Sequence, residues 1–174
     1  MKILILGAGR VGSSLASTLS KQQYEVSIVD LNKDRLQRLQ EDLDLATEVG
    51  HVSYPSTLKK VGADEETILL AVTNSDECNI TSCQIAKSKF NVKKTICRLS
   101  DASYLDSLNA FGENNIDIAI SPENEVTEHL VDLIKHPGAE QIESFANGSI
   151  KVVSVKAKKA VSYTHLTLPT TWLV

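Results

Sequence analysis

A chain of 174 residues has room for one complete domain and little more. It is 42% hydrophobic and 23% charged, has no apolar run near the about 20 residues that cross a bilayer, and shows no secretory segment after Met1, so we expect a soluble, cytosolic product. The net charge of −4 and a pI near 5.6 argue against nonspecific nucleic-acid binding, which requires clustered basic residues.

The first predicted elements are a strand, a glycine-rich turn and a helix. The apolar run from Ile3 to Leu6 precedes six residues with the GxGxxG spacing: Gly7, Ala8, Gly9, Arg10, Val11 and Gly12. Glycines at this spacing permit a tight turn, close approach of the backbone to a pyrophosphate, and close packing of the helix on its strand. Val11, Leu15 and Leu19 recur at the spacing of one buried helix stripe. The pattern predicts a dinucleotide site, with an ordinary strand-to-helix corner as the alternative.

A second buried strand, residues 25–29, is closed by Asp30. Asp30 lies about 20 residues beyond the glycines, where a carboxylate accepts hydrogen bonds from the ribose hydroxyls of adenosine. A ribose 2′-phosphate at close range and intermediate dielectric would be repelled by about 4 kcal/mol per charge pair, which disfavours NADP. NAD, ATP and ADP keep that hydroxyl free. Arg10 is interpreted as a cation beside the phosphates, or as a solvated surface charge.

Strand and helix patterns then alternate with short connections. Further strands are predicted at about residues 45–49, 67–72, 95–98 and 116–120. The alternation predicts the α/β class, as a doubly wound, Rossmann-like parallel sheet with the start of a second, smaller α+β lobe. The buried faces of the second and fourth helices are predicted at Leu36, Leu39, Leu43, Ile80, Cys83, Ala86 and Phe90. Ligands of such sheets bind at the carboxyl edge, so functional residues should follow strands one, two, four and five.

Polar residues do follow the fourth and fifth predicted strands. Thr73 and Asn74 lie at the tip of the fourth strand and are predicted to contact a ligand. Ser75 or Asp76 is predicted to cap the helix that follows. Arg98 ends the fifth strand, where we expect it to contact a phosphate or ribose; the alternative is a paired structural arginine.

Neither a catalytic nor a metal site is predicted. The cysteines are odd in number and lack a CxxC spacing, which argues against disulfides and zinc and favours buried, reduced thiols at Cys78, Cys83 and Cys97. The sequence offers no serine–histidine–aspartate or cysteine–histidine arrangement. His51, just beyond the third strand, is interpreted as edging an adenine pocket or as an ordinary turn residue.

The C-terminal part starts with a helix predicted over residues 123–135. Its apolar stripe either crosses to a neighbouring subunit or packs on its own sheet; it consists of Val126, Leu130, Leu133 and Ile134. Pro137 and Gly138 end the helix. Two further strands, 142–145 and 150–155, are predicted to form a hairpin through Asn147 and Gly148.

Three segments are predicted from these patterns. Residues 1–136 form a nucleotide-binding domain, and residues 137–160 begin a C-terminal lobe that the chain does not complete. Residues 161–174 change composition abruptly and carry no helix or strand period, so we expect a non-native or disordered tail there.

Five features occur in a fixed order: GAGRVG, Asp30, GHVSYPSTL from Gly50, AVTNSDECN from Ala71, and Cys97-Arg98-Leu99. In this combination, over roughly residues 1–157, the chain resembles the nucleotide-binding subunit of bacterial Trk potassium uptake systems. The resemblance covers the N-terminal regulator-of-potassium-conductance (RCK, or KTN) domain and the opening of the C-terminal lobe that follows it. The AVTNSDE segment is more diagnostic of that family than the glycine loop.

The resemblance implies a domain that binds NAD(H), or ATP or ADP, and performs no chemistry. It also implies a homo-oligomeric cytoplasmic ring, peripheral on the inner face of the cell membrane, that controls gating of an integral-membrane potassium transporter subunit. By motif, it assigns the phosphates to residues 7–11, the ribose to Asp30, the nearby ribose or base to Thr73 and Asn74, and a further polar contact to Arg98.

Two other classes of protein are alternatives for this sequence. The cofactor domain of an NAD-dependent dehydrogenase would need a substrate lobe with an acid or base, and the residues after Pro137 are too few to build one. A passive dimerisation module would bind no nucleotide at all.

Overall fold

The computed structural model describes residues 1–101, 103–107, 116–145 and 150–156. The chain divides into two compact units, Met1–Asn124 and Glu125–Val174. The domain boundaries expected from sequence at residues 136 and 160 stay predictions. The expected tail, residues 161–174, lies outside the described residues.

Strands and helices alternate through the first unit, as the sequence predicts. Its elements are β1 (Lys2–Leu6), α1 (Arg10–Lys21), β2 (Glu25–Asp30), α2 (Lys33–Asp42), β3 (Ala46–Val49), α3 (Pro55–Lys60), β4 (Thr67–Ala71), α4 (Asp76–Phe90), β5 (Lys94–Arg98), α5 (Ser103–Ser107) and β6 (Ile118–Ile120). Helix α6 (Pro122–Lys135) begins in this unit and continues into the second. The strand positions agree with the predicted ones to within a residue or two.

The strands of the first unit form one six-stranded sheet in the order β3-β2-β1-β4-β5-β6, and every neighbouring pair is parallel. The chain order reverses between β1 and β4, which is the switch point at which doubly wound sheets bind ligands. The predicted α/β, doubly wound class is therefore confirmed.

Alternate residues of β1 face opposite sides of the sheet, and each side carries its own apolar cluster. Leu4 and Leu6 belong to one cluster, whose other members include Leu58, Leu69, Ile80, Cys83, Ala86 and Leu99. Ile3 and Ile5 belong to the other, together with Ala16, Val26, Ile28 and Leu36. Helices thus cover both faces, which explains why the central strands read as continuous apolar runs rather than alternating ones.

The predicted buried faces of the helices are right with one exception. Leu36 on α2 and the α4 residues Ile80, Cys83 and Ala86 are buried, while Leu39, Leu43 and Phe90 are half-buried. On α1, Leu15 and Leu19 are partly covered, but Val11 is 44% exposed, so its predicted place in the buried stripe is wrong. The small residues Gly12 and Ala16 face the sheet instead, because they let the helix approach it closely.

The three cysteines are free thiols, as predicted. Cys83 and Cys97 are fully buried, whereas Cys78 is only half-buried. A hydrogen bond with Cys97, together with burial, raises the pKa of the Cys83 thiol well above its ordinary value. Cys83 is therefore protonated at neutral pH and behaves as a small core residue.

The second unit contains the predicted hairpin. Strands β7 (Ala139–Phe145) and β8 (Ile150–Val155) pair antiparallel, with Ile142 opposite Val153. The expected turn residues Asn147 and Gly148 lie outside the described residues. On α6, Val126, Leu130 and Ile134 are each more than half exposed. None of the described helices combines the length and apolar character that a bilayer span demands.

Candidate functional site

The loops that follow β1, β2, β4 and β5 meet at the carboxyl edge of the sheet. Backbone hydrogen bonds continue the strand pairing into these loops: Gly7 N–H donates to Val29 O at 2.8 Å, and Val72 N–H donates to Leu6 O at 2.9 Å. Gly50 N–H donates to Asp30 O at 3.1 Å, which ties the end of β3 to the same edge. The loop backbones are therefore fixed beside the switch point.

The three glycines of the first loop have different surroundings. Gly7 has a φ of +104°, and a Cβ there would lie 3.1 Å from three atoms of Thr73. At Gly12 a Cβ would lie 1.8 Å from the carbonyl oxygen of Gly7. A Cβ at Gly9 would meet no atom within 4 Å. The first and third glycines are thus required by the fold, whereas the second borders open space through which a phosphate can approach.

Helix α1 starts directly behind this open space. Gly9 is its N-cap residue, no side chain caps it, and no acidic residue occupies its first turn. The first N–H groups of any α-helix lack acceptors within the helix, and the helix dipole adds partial positive charge there. The first turn, with Arg10 exposed on it, therefore favours an anion.

Asp30 connects the second strand to the glycine loop. Its Oδ2 accepts a 2.6 Å hydrogen bond from Ala8 N–H, and its Oδ1 accepts a 2.7 Å bond from Asn32 N–H. A carboxylate has about four acceptor positions, so two remain for ribose hydroxyls. Asp30 thus orients the loop and also offers charge beside it.

Thr73, at the tip of β4, lies against Gly7 on the other side of the switch point. Its Oγ1 donates to Asn79 Oδ1 at 2.7 Å, and its N–H donates to the same oxygen at 3.0 Å. Asn74, beside it, is exposed. Ser75 caps α4 by accepting from Cys78 N–H, as predicted. Asp76 does not cap the helix.

Asp76 instead holds the loop after β5. Its carboxylate accepts hydrogen bonds of 2.9 Å from Ser100 N–H and Asp101 N–H. Ser75 therefore caps α4, whereas Asp76 fixes the neighbouring loop at the carboxyl edge.

Arg98 lies at the end of β5 and is largely covered. Its Nη2 donates to Glu123 Oε1 at 2.7 Å, and its Nη1 donates to Thr73 O at 3.4 Å. Its Nε is buried without a hydrogen-bond partner among the described residues. Arg98 is therefore paired with Glu123, in agreement with the alternative prediction of a structural arginine. Its Nε is still available to donate to a ligand.

Asn79 is the residue at this edge that sequence reasoning missed. It is fully buried on α4, and its Nδ2 donates to Thr73 O at 3.2 Å and to Arg98 O at 2.9 Å. The available signal was its spacing: Asn79 shares the buried stripe of Cys83 and Ala86. An amide in an apolar stripe must find hydrogen-bond partners, so its position pointed to a buried polar contact.

Beyond β3, the rings of His51 and Tyr54 stack with centroids 4.6 Å apart and an interplanar angle of 23°. His51 Nδ1 lies 2.8 Å from Ser53 Oγ, and Tyr54 is 58% exposed. His51 is thus a turn residue with local partners, and its place at an adenine pocket stays a prediction. Within the described ranges, no group of three or more His, Cys, Asp or Glu residues is arranged to hold a metal ion.

Curated relatives match this chain along most of its length. The Trk system potassium uptake protein TrkA of Halomonas elongata is 42% identical over 159 residues, which is 90% of this chain and 35% of the relative. The TrkA protein of Vibrio alginolyticus is 42% identical over 160 residues, with the same coverage. The chain therefore spans about a third of the length of the curated relatives it matches.

Solved structures share its fold. The TrkA-N domain of the inner membrane protein ybaL from Escherichia coli is 18% identical with a TM-score of 0.64, covering 76% of this chain and 96% of that one. The GsuK channel bound to NAD is 17% identical with a TM-score of 0.60, and the match covers 75% of this chain and 23% of the channel chain. GsuK bound to ADP is 22% identical with a TM-score of 0.63, and the match covers 78% of this chain and 34% of the GsuK chain.

The family model of the TrkA-N domain matches residues 3–122, which contain the glycine loop, Asp30, Thr73 and Arg98. The match includes the parallel sheet from Ile3 onward and the residues of the carboxyl edge described above except Glu123. The chain belongs to the TrkA-N domain family.

Proposed function

We propose that this chain is the nucleotide-sensing part of a cytoplasmic regulatory subunit that controls the gating of a membrane potassium transporter. The observation that carries the proposal is the Asp30 carboxylate, 2.6 Å from Ala8 N, beside a glycine loop whose Gly9 faces open space. An acceptor for ribose hydroxyls and a cluster of phosphate-binding N–H groups are thereby held side by side.

The ligand that fits this arrangement is an adenine nucleotide with a free 2′-hydroxyl. NAD(H), ATP and ADP meet that condition, and structural neighbours bound to NAD and to ADP support the assignment. Within the site, we assign residues 7–12 to the phosphates, Asp30 to the ribose, and Thr73 and Asn74 to the far ribose or base. The Nε of Arg98, which has no hydrogen-bond partner in the described part of the chain, is a donor that a ligand oxygen would satisfy.

The transporter partner is inferred from the relatives, which are potassium uptake proteins. A nucleotide can change gating only if it binds one arrangement of subunits better than another, and a coupling of about 1 to 3 kcal/mol is enough. The exposed Val126, Leu130 and Ile134 on α6 support contact between copies of the chain. The subunit would then act as a homo-oligomer, peripheral on the inner face of the cell membrane.

We expect a nucleotide to change the assembly of this chain. Small-angle X-ray scattering with and without saturating NADH, NAD, ATP or ADP should show a shift in particle mass or radius of gyration for at least one of them. The Asp30→Ala variant is the control and should need about 10- to 100-fold more of the same nucleotide to produce the same shift. Identical scattering for the wild-type chain under all conditions would contradict ligand-driven assembly, even if the nucleotides bind.

A further inference from the structure

The side chain of Asn79 joins the ends of two strands that no longer pair through their backbones. The parallel pairing of β4 and β5 ends at Ala71 and Cys97. Beyond that point, Asn79 Nδ2 donates to both Thr73 O and Arg98 O, and Asn79 Oδ1 accepts from Thr73 N–H and Thr73 Oγ1. One amide therefore replaces the missing backbone pairing at the carboxyl edge.

Only an amide supplies this set of bonds at this size. Two donors on Nδ2 face two carbonyl oxygens, and one oxygen faces an N–H and a hydroxyl. Asn79 has no exposed surface, so any of these groups left without a partner stays out of reach of water. The conformation of Thr73 is thus fixed from inside the domain.

We propose that Asn79 is a positioning residue of the nucleotide site, setting its affinity without touching the ligand. This inference rests on the proposed function. Through Thr73, which lies against Gly7, it fixes one wall of the phosphate loop. Through Thr73 O, which accepts from Arg98 Nη1, and through Arg98 O, it fixes the position of the arginine as well. A change at Asn79 therefore displaces both sides of the site.

The experiment compares the nucleotide affinities of folded Asn79 variants with that of a control variant that is also destabilised in the core. Asn79→Asp keeps an acceptor for Thr73 but turns a second oxygen toward the two carbonyls; Asn79→Ala removes all four bonds. Val92→Ala is the control, because Val92 is equally buried but precedes β5 at the opposite edge of the sheet. Free energies of unfolding come from denaturant titration, and affinities for NADH, NAD, ATP and ADP come from calorimetry on the fully folded proteins.

We expect both Asn79 variants to bind at least about tenfold more weakly than wild type, and Val92→Ala, although destabilised, to bind within about twofold. Should Asn79→Ala not fold, Asn79→Ser keeps one hydroxyl and carries the same comparison. Folded Asn79 variants with wild-type affinity would overturn this inference alone and leave Asn79 a structural residue. A wild-type chain that binds none of the four nucleotides would overturn the proposed function, and this inference with it.

Discussion

Asp30→Ala is expected to weaken the binding of NADH, NAD, ATP and ADP by about 10- to 100-fold. Hydrogen bonds to a charged group contribute about 1.5 to 3 kcal/mol each, and the variant loses those from the ribose. It also loses the bond from Ala8 N–H, which leaves a buried donor unsatisfied and the phosphate loop less constrained. Isothermal titration calorimetry below the melting temperature of the variant measures the effect.

Two further variants separate the causes. Asp30→Asn keeps one acceptor oxygen for the loop but removes the negative charge, so its affinity should lie between wild type and Asp30→Ala. Asp42→Ala removes an exposed carboxylate at the end of α2 and should bind as wild type does. If Asp30→Ala binds all four nucleotides with unchanged affinity, Asp30 has no part in recognition.

Alanine substitutions at two glycines of the loop should have different effects: Gly12→Ala should lower stability, and Gly9→Ala should lower nucleotide affinity. Gly12→Ala places its Cβ 1.8 Å from a backbone oxygen, an overlap that only movement of the helix or the loop can relieve. We expect it to lower the free energy of unfolding by about 3 kcal/mol or more. At Gly9→Ala the Cβ meets nothing within 4 Å and the φ of −75° suits alanine. Alanine is a poorer N-cap than glycine but lowers the entropy of the unfolded chain, so we expect the free energy of unfolding to change by less than about 1 kcal/mol.

At Gly9, nucleotide affinity should fall although the stability of the fold is little changed. Its Cβ would stand in the open space over the start of α1, and we expect nucleotide affinity to fall at least about tenfold. Gly138→Ala is the matched control, because a Cβ there also meets nothing within 4 Å and Gly138 lies in the second unit. Thermal unfolding followed by circular dichroism, with calorimetry on the same samples, tests both halves. Wild-type affinity in the Gly9→Ala variant would contradict binding of the nucleotide phosphates by this loop.

Local patterns were sufficient to predict the sheet. The central strands β1, β2 and β4 contain apolar runs separated by turn and helix signals, and the reversal between β1 and β4 follows from the doubly wound class. The buried stripe of α1 was not predictable from periodicity alone. Val11 fits an apolar repeat, but the face toward the sheet is decided by how closely Gly12 can approach Gly7.

The candidate site was predictable only in part. Asp30 and the glycines stand out in the sequence because each follows a buried strand, and the structure brings them together through the bond from Ala8 N–H to Asp30. The partners of Arg98 did not follow from the sequence, because Glu123 is 25 residues away and its pairing depends on how β6 and α6 return to the edge. Asn79 was hidden for the same reason, since its amide serves two strand ends that meet only after folding.

The most direct measurement is a calorimetric titration of the wild-type chain with NADH, NAD, ATP, ADP and NADP. At least one of the first four should saturate one site per chain, and NADP should bind at least about tenfold more weakly than NAD, equivalent to about 1.4 kcal/mol. No binding by any of the four would contradict a nucleotide site at this edge of the sheet. NADP binding as tightly as NAD would contradict recognition of the ribose by Asp30.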